Sequence, residues 1–137
     1  MTSEKFCLRW NDFESNISSS FRELRDDKDF FDITLACDDE QIQAHKVILS
    51  ACSPFFRNVL RRNPHQHPLL YLKGVKYTDL QSVLNFMYHG EVMLPKKSLT
   101  PSLLLLRTWE SKASLKTSQE QKTLKEKANN HQHHLNQ

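Results

Sequence analysis

The stretch at residues 45–56, H-K-V-I-L-S-A-C-S-P-F-F, constrains the fold more than any other part of the chain. Val47, Ile48, Leu49, Ala51, Cys52, Phe55 and Phe56 fall within ten residues, too short a run to span a membrane, so it reads as buried core. Ser53-Pro54 divides it. Proline is excluded from a helix interior but suits the first helical position, and a preceding serine is a good N-cap. Two short helices meeting at Ser53 are therefore expected, and the flanking segments should pack on them.

Those segments alternate in type. Phe6, Leu8 and Trp10 share one face of a short N-terminal strand. They either lie on the chain's own core or pair with another chain. Asn11-Asp12 offers an N-cap to an amphipathic helix marked by Phe13, Ile17, Phe21 and Leu24. Residues 32–37, D-I-T-L-A-C, and 41–44, Q-I-Q-A, read as a hairpin around the turn Asp38-Asp39-Glu40. Residues 69–72 read as a third, buried strand. Thr78 with Gln81 suggests a capping box for a helix carrying Leu80, Val83, Leu84, Met87 and Tyr88, which Gly90 ends. Strand, helix, hairpin, two helices, strand, helix is an α+β order, with helices clustered around a small sheet.

Charge divides the chain. Residues 1–92 carry a net −2 and residues 93–137 a net +5, and no Asp or Gly follows residue 92. The first part is the globular candidate, and its mild acidity disfavours a nucleic-acid surface. Cys7, Cys37 and Cys52 form no C-x-x-C pair and read as reduced core thiols of a cytosolic or nuclear protein. The N-terminus has no apolar signal region.

Little points to catalysis. His45 has Ser50, Cys52 and Ser53 near it in sequence, but no orienting acid or oxyanion hole is visible, so it is expected to be a hydrogen-bonded core or interface residue. His65, His67 and His89 lack ligand partners at metal spacing. The tract His131-Gln132-His133-His134 reads as polar tail. No enzyme activity, cofactor, metal, membrane contact or direct nucleic-acid binding is expected of this chain.

At these residues the chain resembles a BTB/POZ domain of the insect tramtrack-type group. The resemblance rests on F-C-L-R-W-N at 6–11, D-I-T-L-A-C at 32–37, A-H-K-V-I-L-S-A-C-S-P-F-F at 44–56, L-K-G-V at 72–75 and F-M-Y-H-G-E-V at 86–92. It implies the BTB/POZ fold over residues 5–92 and a homodimer in which the first strand crosses to the partner. Association into higher oligomers, and with other tramtrack-type BTB proteins, is also implied. So is a place in the nucleus, in a transcription or chromatin regulator that recruits corepressor or chromatin proteins. On this likeness Phe6, Leu8, Arg9, Trp10, Phe13 and Ile17 form the dimer interface, and Asp32 with Lys46 a charged pair near it. The pair's alternative is that Asp32 caps its strand and Lys46 extends to solvent. His45, Leu49, Ser50, Cys52, Ser53, Phe55, Phe56, Met87 and Tyr88 are the core signature. The alternative function is a substrate adaptor of a cullin-type ubiquitin ligase, which in some members carries a hydrophobic-x-Glu element that residues 61–68 lack.

The resemblance stops at Val92. Codons chosen for residues 93–115 and read one base earlier encode N-V-A-Q-E followed by a helix of family pattern. Residues 93–137 are thus expected to come from a shifted reading frame, leaving the domain incomplete at its C-terminal end. The expected tail is basic, polar, and disordered or loosely helical.

Overall fold

The computed structural model describes residues 3–109. The helix α1 spans Phe13–Asp26 and is followed by the hairpin β1 (Ile33–Cys37) and β2 (Glu40–Ala44). The paired helices α2 (Lys46–Cys52) and α3 (Pro54–Arg62) come next, then β3 (Leu69–Tyr71), α4 (Tyr77–His89) and α5 (Lys96–Trp109). The sheet order is β2-β1-β3. β1 pairs antiparallel with β2, Leu35 facing Ile42, and parallel with β3, Leu35 facing Leu70. As the central strand β1 is buried along its whole length, which its Ile-Thr-Leu-Ala-Cys sequence suits. Helices enclose it in an α+β arrangement, as expected.

The Ser53-Pro54 break works as its chemistry requires. Ser53 is fully buried, its Oγ accepts the Phe56 N–H at 3.3 Å, and Pro54 opens α3 without losing a needed donor. Leu49 and Phe56, one from each helix, lie at zero exposure in a core with Ile33, Leu35, Leu80, Val83 and Leu84. At the end of α4, Gly90 takes φ 81°, a left-handed position open to glycine, and its N–H bonds the Phe86 carbonyl at 2.7 Å.

Several local expectations are corrected. Asp12 precedes α1 in the left-handed region with its side chain making no cap; the Ser15 hydroxyl bonds back to the Asp12 carbonyl instead. The capping box at Thr78 does not form. α4 begins two residues earlier, with Lys76 at the N-cap, and the Gln81 amide bonds the Tyr77 hydroxyl rather than an N-cap N–H. β3 is an edge strand with Leu69 and Tyr71 exposed, not a buried one. Cys7 is exposed, since its segment lies off the core, while Cys37 is buried and Cys52 half-buried.

Past residue 92, where the resemblance stops, the chain continues as a packed helix. Residues 96–109 form a helix that packs on α4 and α3. Leu106 and Trp109 are buried, three residues apart and so on one face. The Trp109 ring stacks on Phe55 (centroids 5.8 Å, planes 9° apart) and meets Phe56 edge-on at 5.0 Å. The Ser102 hydroxyl donates to the buried Asp79 carboxylate at 3.3 Å, tying α5 to the first turn of α4. A docked helix needs only apolar groups at helical spacing, and this tail has them. The region 112–127 and the histidine tract lie outside the described residues.

Candidate interaction surface

Two parts of the molecule carry chemistry beyond packing: an apolar N-terminal surface, and a polar node that fixes it to the core.

The surface begins with the arm at residues 6–10. It belongs to no helix or strand, joins no ladder and leaves its apolar groups exposed. Phe6 is 89%, Leu8 98% and Trp10 61% exposed, and Arg9 is exposed with them. Trp10 meets Phe13 edge-to-face at 5.4 Å, which joins the arm to the first turn of α1. Phe13 and Ile17 continue the stripe, exposed, whereas Phe21 and Leu24 on the same stripe are half-buried. So α1 turns its C-terminal half toward α4 and leaves its N-terminal half uncovered. Together these side chains make an exposed apolar patch at the N-terminal end of the described residues. Of the expected interface residues, Phe6, Leu8, Arg9, Trp10, Phe13 and Ile17 all lie on this surface.

The node holds α1 in place. His45, at the start of α2, is buried. Its Nε2 lies 2.7 Å from the Asp29 carbonyl, which only accepts, so Nε2 carries the proton. The Tyr88 hydroxyl then donates to Nδ1 at 2.6 Å and accepts the His45 backbone N–H at 3.0 Å. Both ring nitrogens are thereby engaged in structure, and neither addresses a nucleophile. Ser50 spends its hydroxyl on the Lys46 carbonyl at 2.7 Å. Phe31 packs on the imidazole, and the Arg25 guanidinium from α1 lies 4.6 Å from the Tyr88 ring centroid. Burial raises the Tyr88 phenol, partly offset by the His45 N–H and by Arg25. Burial lowers Arg25, against the attraction of Tyr88 and Asp26. Burial raises the Cys37 thiol, with Asp38 and Glu40 adding to it.

Asp32 and Lys46 do meet, but through the main chain. Asp32 Oδ1 accepts the Lys46 backbone N–H at 2.7 Å and so caps α2, where a carboxylate is favoured by the helix dipole. The Lys46 ammonium turns to the carbonyls of His65 and Gln66 instead. The expected charged pair is therefore a helix cap, plus a lysine that ties down the loop after α3. Beside it runs a groove of about 450 Å³ lined by Lys46, Val47, Ser50, Arg57, Leu60 and Arg61, cationic walls over a partly apolar floor.

Of the remaining signature residues, Leu49, Ser53, Phe56, Met87 and Tyr88 are buried, and Cys52 and Ser50 half-buried. Phe55 is exposed on one side and stacked by Trp109 on the other. Sequence reasoning missed Arg25, Phe31, Asp29 and Trp109. Leu106 and Trp109, three apart and so on one helix face, were the signal that pointed to the last. Among the described residues, no group of three metal-ligating side chains converges. Nor is any described helix long and apolar enough to cross a membrane.

Comparison with known proteins places this geometry. The BTB/POZ domain family matches residues 21–126, past Val92. Protein abrupt of Drosophila melanogaster is 50% identical over 109 residues, covering 76% of this chain and 12% of that protein. Longitudinals lacking protein-like, of the same organism, is 51% identical over 96 residues, 70% of this chain and 76% of that protein. Protein tramtrack, alpha isoform, is 46% identical over 103 residues, 75% of this chain and 13% of that protein. The chain thus spans about an eighth of the length of abrupt and tramtrack. The BTB domain of human gigaxonin superposes with a TM-score of 0.65 at 20% identity, covering 79% of this chain and 89% of that one. The zebrafish PATZ1 BTB domain does so at 0.64 and 17%, covering 77% and 86%. With a closed α+β core, the His45–Tyr88 node and relatives at half identity, this chain belongs to the BTB/POZ domain family, alongside the tramtrack-group domains of Drosophila.

Proposed function

We propose that the chain is a homo- and hetero-association module of a transcription or chromatin regulator, working in the nucleus. The observation that carries this reading is the uncovered arm and first half of α1, set against a core that is otherwise closed. Phe6, Leu8 and Trp10 alternate as strand residues do, and an extended strand with one apolar face is completed by adding to a sheet edge of another chain. The partners that fit are a second copy and other tramtrack-type BTB domains. The cationic groove at Lys46, Arg57 and Arg61 suits an acidic segment of a corepressor or chromatin protein. The adaptor reading gains no feature here, since the residues after α3 are Asn63-Pro64-His65-Gln66.

The test is co-purification from cells of the tagged chain beside a Leu8→Asp/Trp10→Asp variant. Tramtrack-type BTB proteins are expected with the first and depleted with the second. Recovery of a cullin in place of BTB proteins would overturn the reading.

A further inference from the structure

The sequence holds two dipeptides in which a hydroxyl residue precedes proline, Ser53-Pro54 and Thr100-Pro101. The fold treats them oppositely. Ser53 is at zero exposure, and its Oγ caps α3 by accepting the Phe56 N–H. Reaching it means opening the core at Leu49 and Phe56. Thr100 is exposed on α5, one turn past the exposed Lys96 and Lys97. Ser50, Ser82 and Thr108 spend their hydroxyls on the carbonyl four residues back. The Thr100 hydroxyl bonds no described residue.

The backbone at Thr100 is also poorly held. Pro101 lies inside the helix, and its missing N–H leaves the Lys97 carbonyl without its helical bond. A proline disfavours the helical region for the residue before it, so Thr100 is helical against its own preference for extended backbone. The groups that anchor α5, Ser102, Leu106 and Trp109, all lie beyond this turn. The turn at 96–101 can therefore extend while the apolar half of α5 stays docked.

We propose that Thr100 is a phosphate-acceptor site for a proline-directed protein kinase, and that its phosphate then holds α5 on the core. Such a kinase takes its substrate extended, with proline after the acceptor, and Pro101 supplies both properties. In the transfer, Thr100 Oγ1 attacks the γ-phosphorus of magnesium-bound ATP. The bond from that phosphorus to the β–γ bridging oxygen breaks, ADP leaves with the electron pair, and the hydroxyl proton passes to the kinase's base.

The product favours the helix. Helical side chains lean toward the N-terminus, so the phosphate lies over the turn that carries Lys96 and Lys97, four and three residues back. It brings about −2 charge and three acceptor oxygens to two ammonium groups and to the positive end of the helix dipole. Neither lysine has an anionic partner among the described residues. Unwinding admits the kinase, and the phosphate then draws the turn back into α5.

The experiment treats the whole chain with a purified cyclin-dependent kinase and magnesium ATP. Mass spectrometry maps the phosphate, and circular dichroism follows unfolding. Phosphate is expected on Thr100 and not on Ser53. Pro101→Ala, which keeps the acceptor, should slow incorporation at least about tenfold. The phosphorylated chain should melt roughly 2–8 °C above the unmodified one, and the rise should vanish in Lys96→Ala/Lys97→Ala. No phosphate at Thr100, or incorporation unchanged in Pro101→Ala, overturns the assigned site. Phosphate at Thr100 with an unchanged or lowered melting temperature overturns the hold on α5, as does a rise that survives the loss of both lysines.

Discussion

Replacing Tyr88 by Phe removes one oxygen and orphans two buried atoms. The hydroxyl accepts the His45 backbone N–H at 3.0 Å and donates to Nδ1 at 2.6 Å. The ring stays, so the packing on α2 and the Arg25 guanidinium above it are preserved. A buried polar atom left without a partner costs about 1–3 kcal/mol. Two such atoms, with some relief from rotation of the imidazole, give about 2–4 kcal/mol. At ~4–8 °C per kcal/mol for a domain of this size, the melting temperature should fall by roughly 8–32 °C. Thermal unfolding at neutral pH, followed by circular dichroism, measures this. The control is Tyr71→Phe, where the lost hydroxyl sits on an exposed strand and the change should stay within about 0.5 kcal/mol. A Tyr88→Phe curve that overlays the wild type would refute the idea that this hydroxyl is the node joining α2 to α4.

Three further perturbations separate packing, capping and protonation. Trp109→Ala removes the ring that covers Phe55 and Phe56 and should cost about 3–5 kcal/mol in chemical denaturation; a cost below about 1 kcal/mol would mean that α5 does not complete the core. Asp32→Ala should lose about 1 kcal/mol while Asp32→Asn, which keeps an oxygen for the Lys46 N–H, loses much less; equal losses would restore the charged pair. Tyr88 and Cys37 are both raised on folding, so their contribution is whole below the ordinary values of 10.0 and 9.0 and is lost as pH climbs through the folded ones. Melting temperature should therefore hold to about pH 8 and then decline, with Cys37→Ala flattening the first part of the decline; an unchanged decline in that variant would exclude the thiol.

What could be read in the sequence was what local chemistry decides. Ser53-Pro54 names a helix junction because a serine oxygen and a missing N–H are both wanted there. Gly90 names a helix end because few residues accept its φ. The hairpin of β1 and β2 follows from a β-branched run and a return strand flanking an acidic turn, with Glu40 itself already in β2. What failed depended on distance. Asp32 and Lys46 were correctly brought together, but which atoms meet is set by the angle at which α2 leaves β2. The exposure of Leu69 and Tyr71 could not be seen, since a short apolar run looks the same at a sheet's centre and at its edge. The helix at 96–109 was missed because the departure from family pattern at Val92 overshadowed the spacing of Leu106 and Trp109. A shifted frame concerns the origin of those residues rather than their packing, and the transcript bases around codon 93 decide it.

The patch at Phe6, Leu8, Trp10, Phe13 and Ile17 is the central claim, because the proposed pairing with other BTB domains starts there. Light scattering after size exclusion, on the chain and on its Leu8→Asp/Trp10→Asp variant at matched melting temperature, tests it most directly. A wild-type mass of a dimer or a multiple of it, reduced to a monomer in the variant, is the expected result. A monomeric wild type, or a variant of unchanged mass, would contradict it.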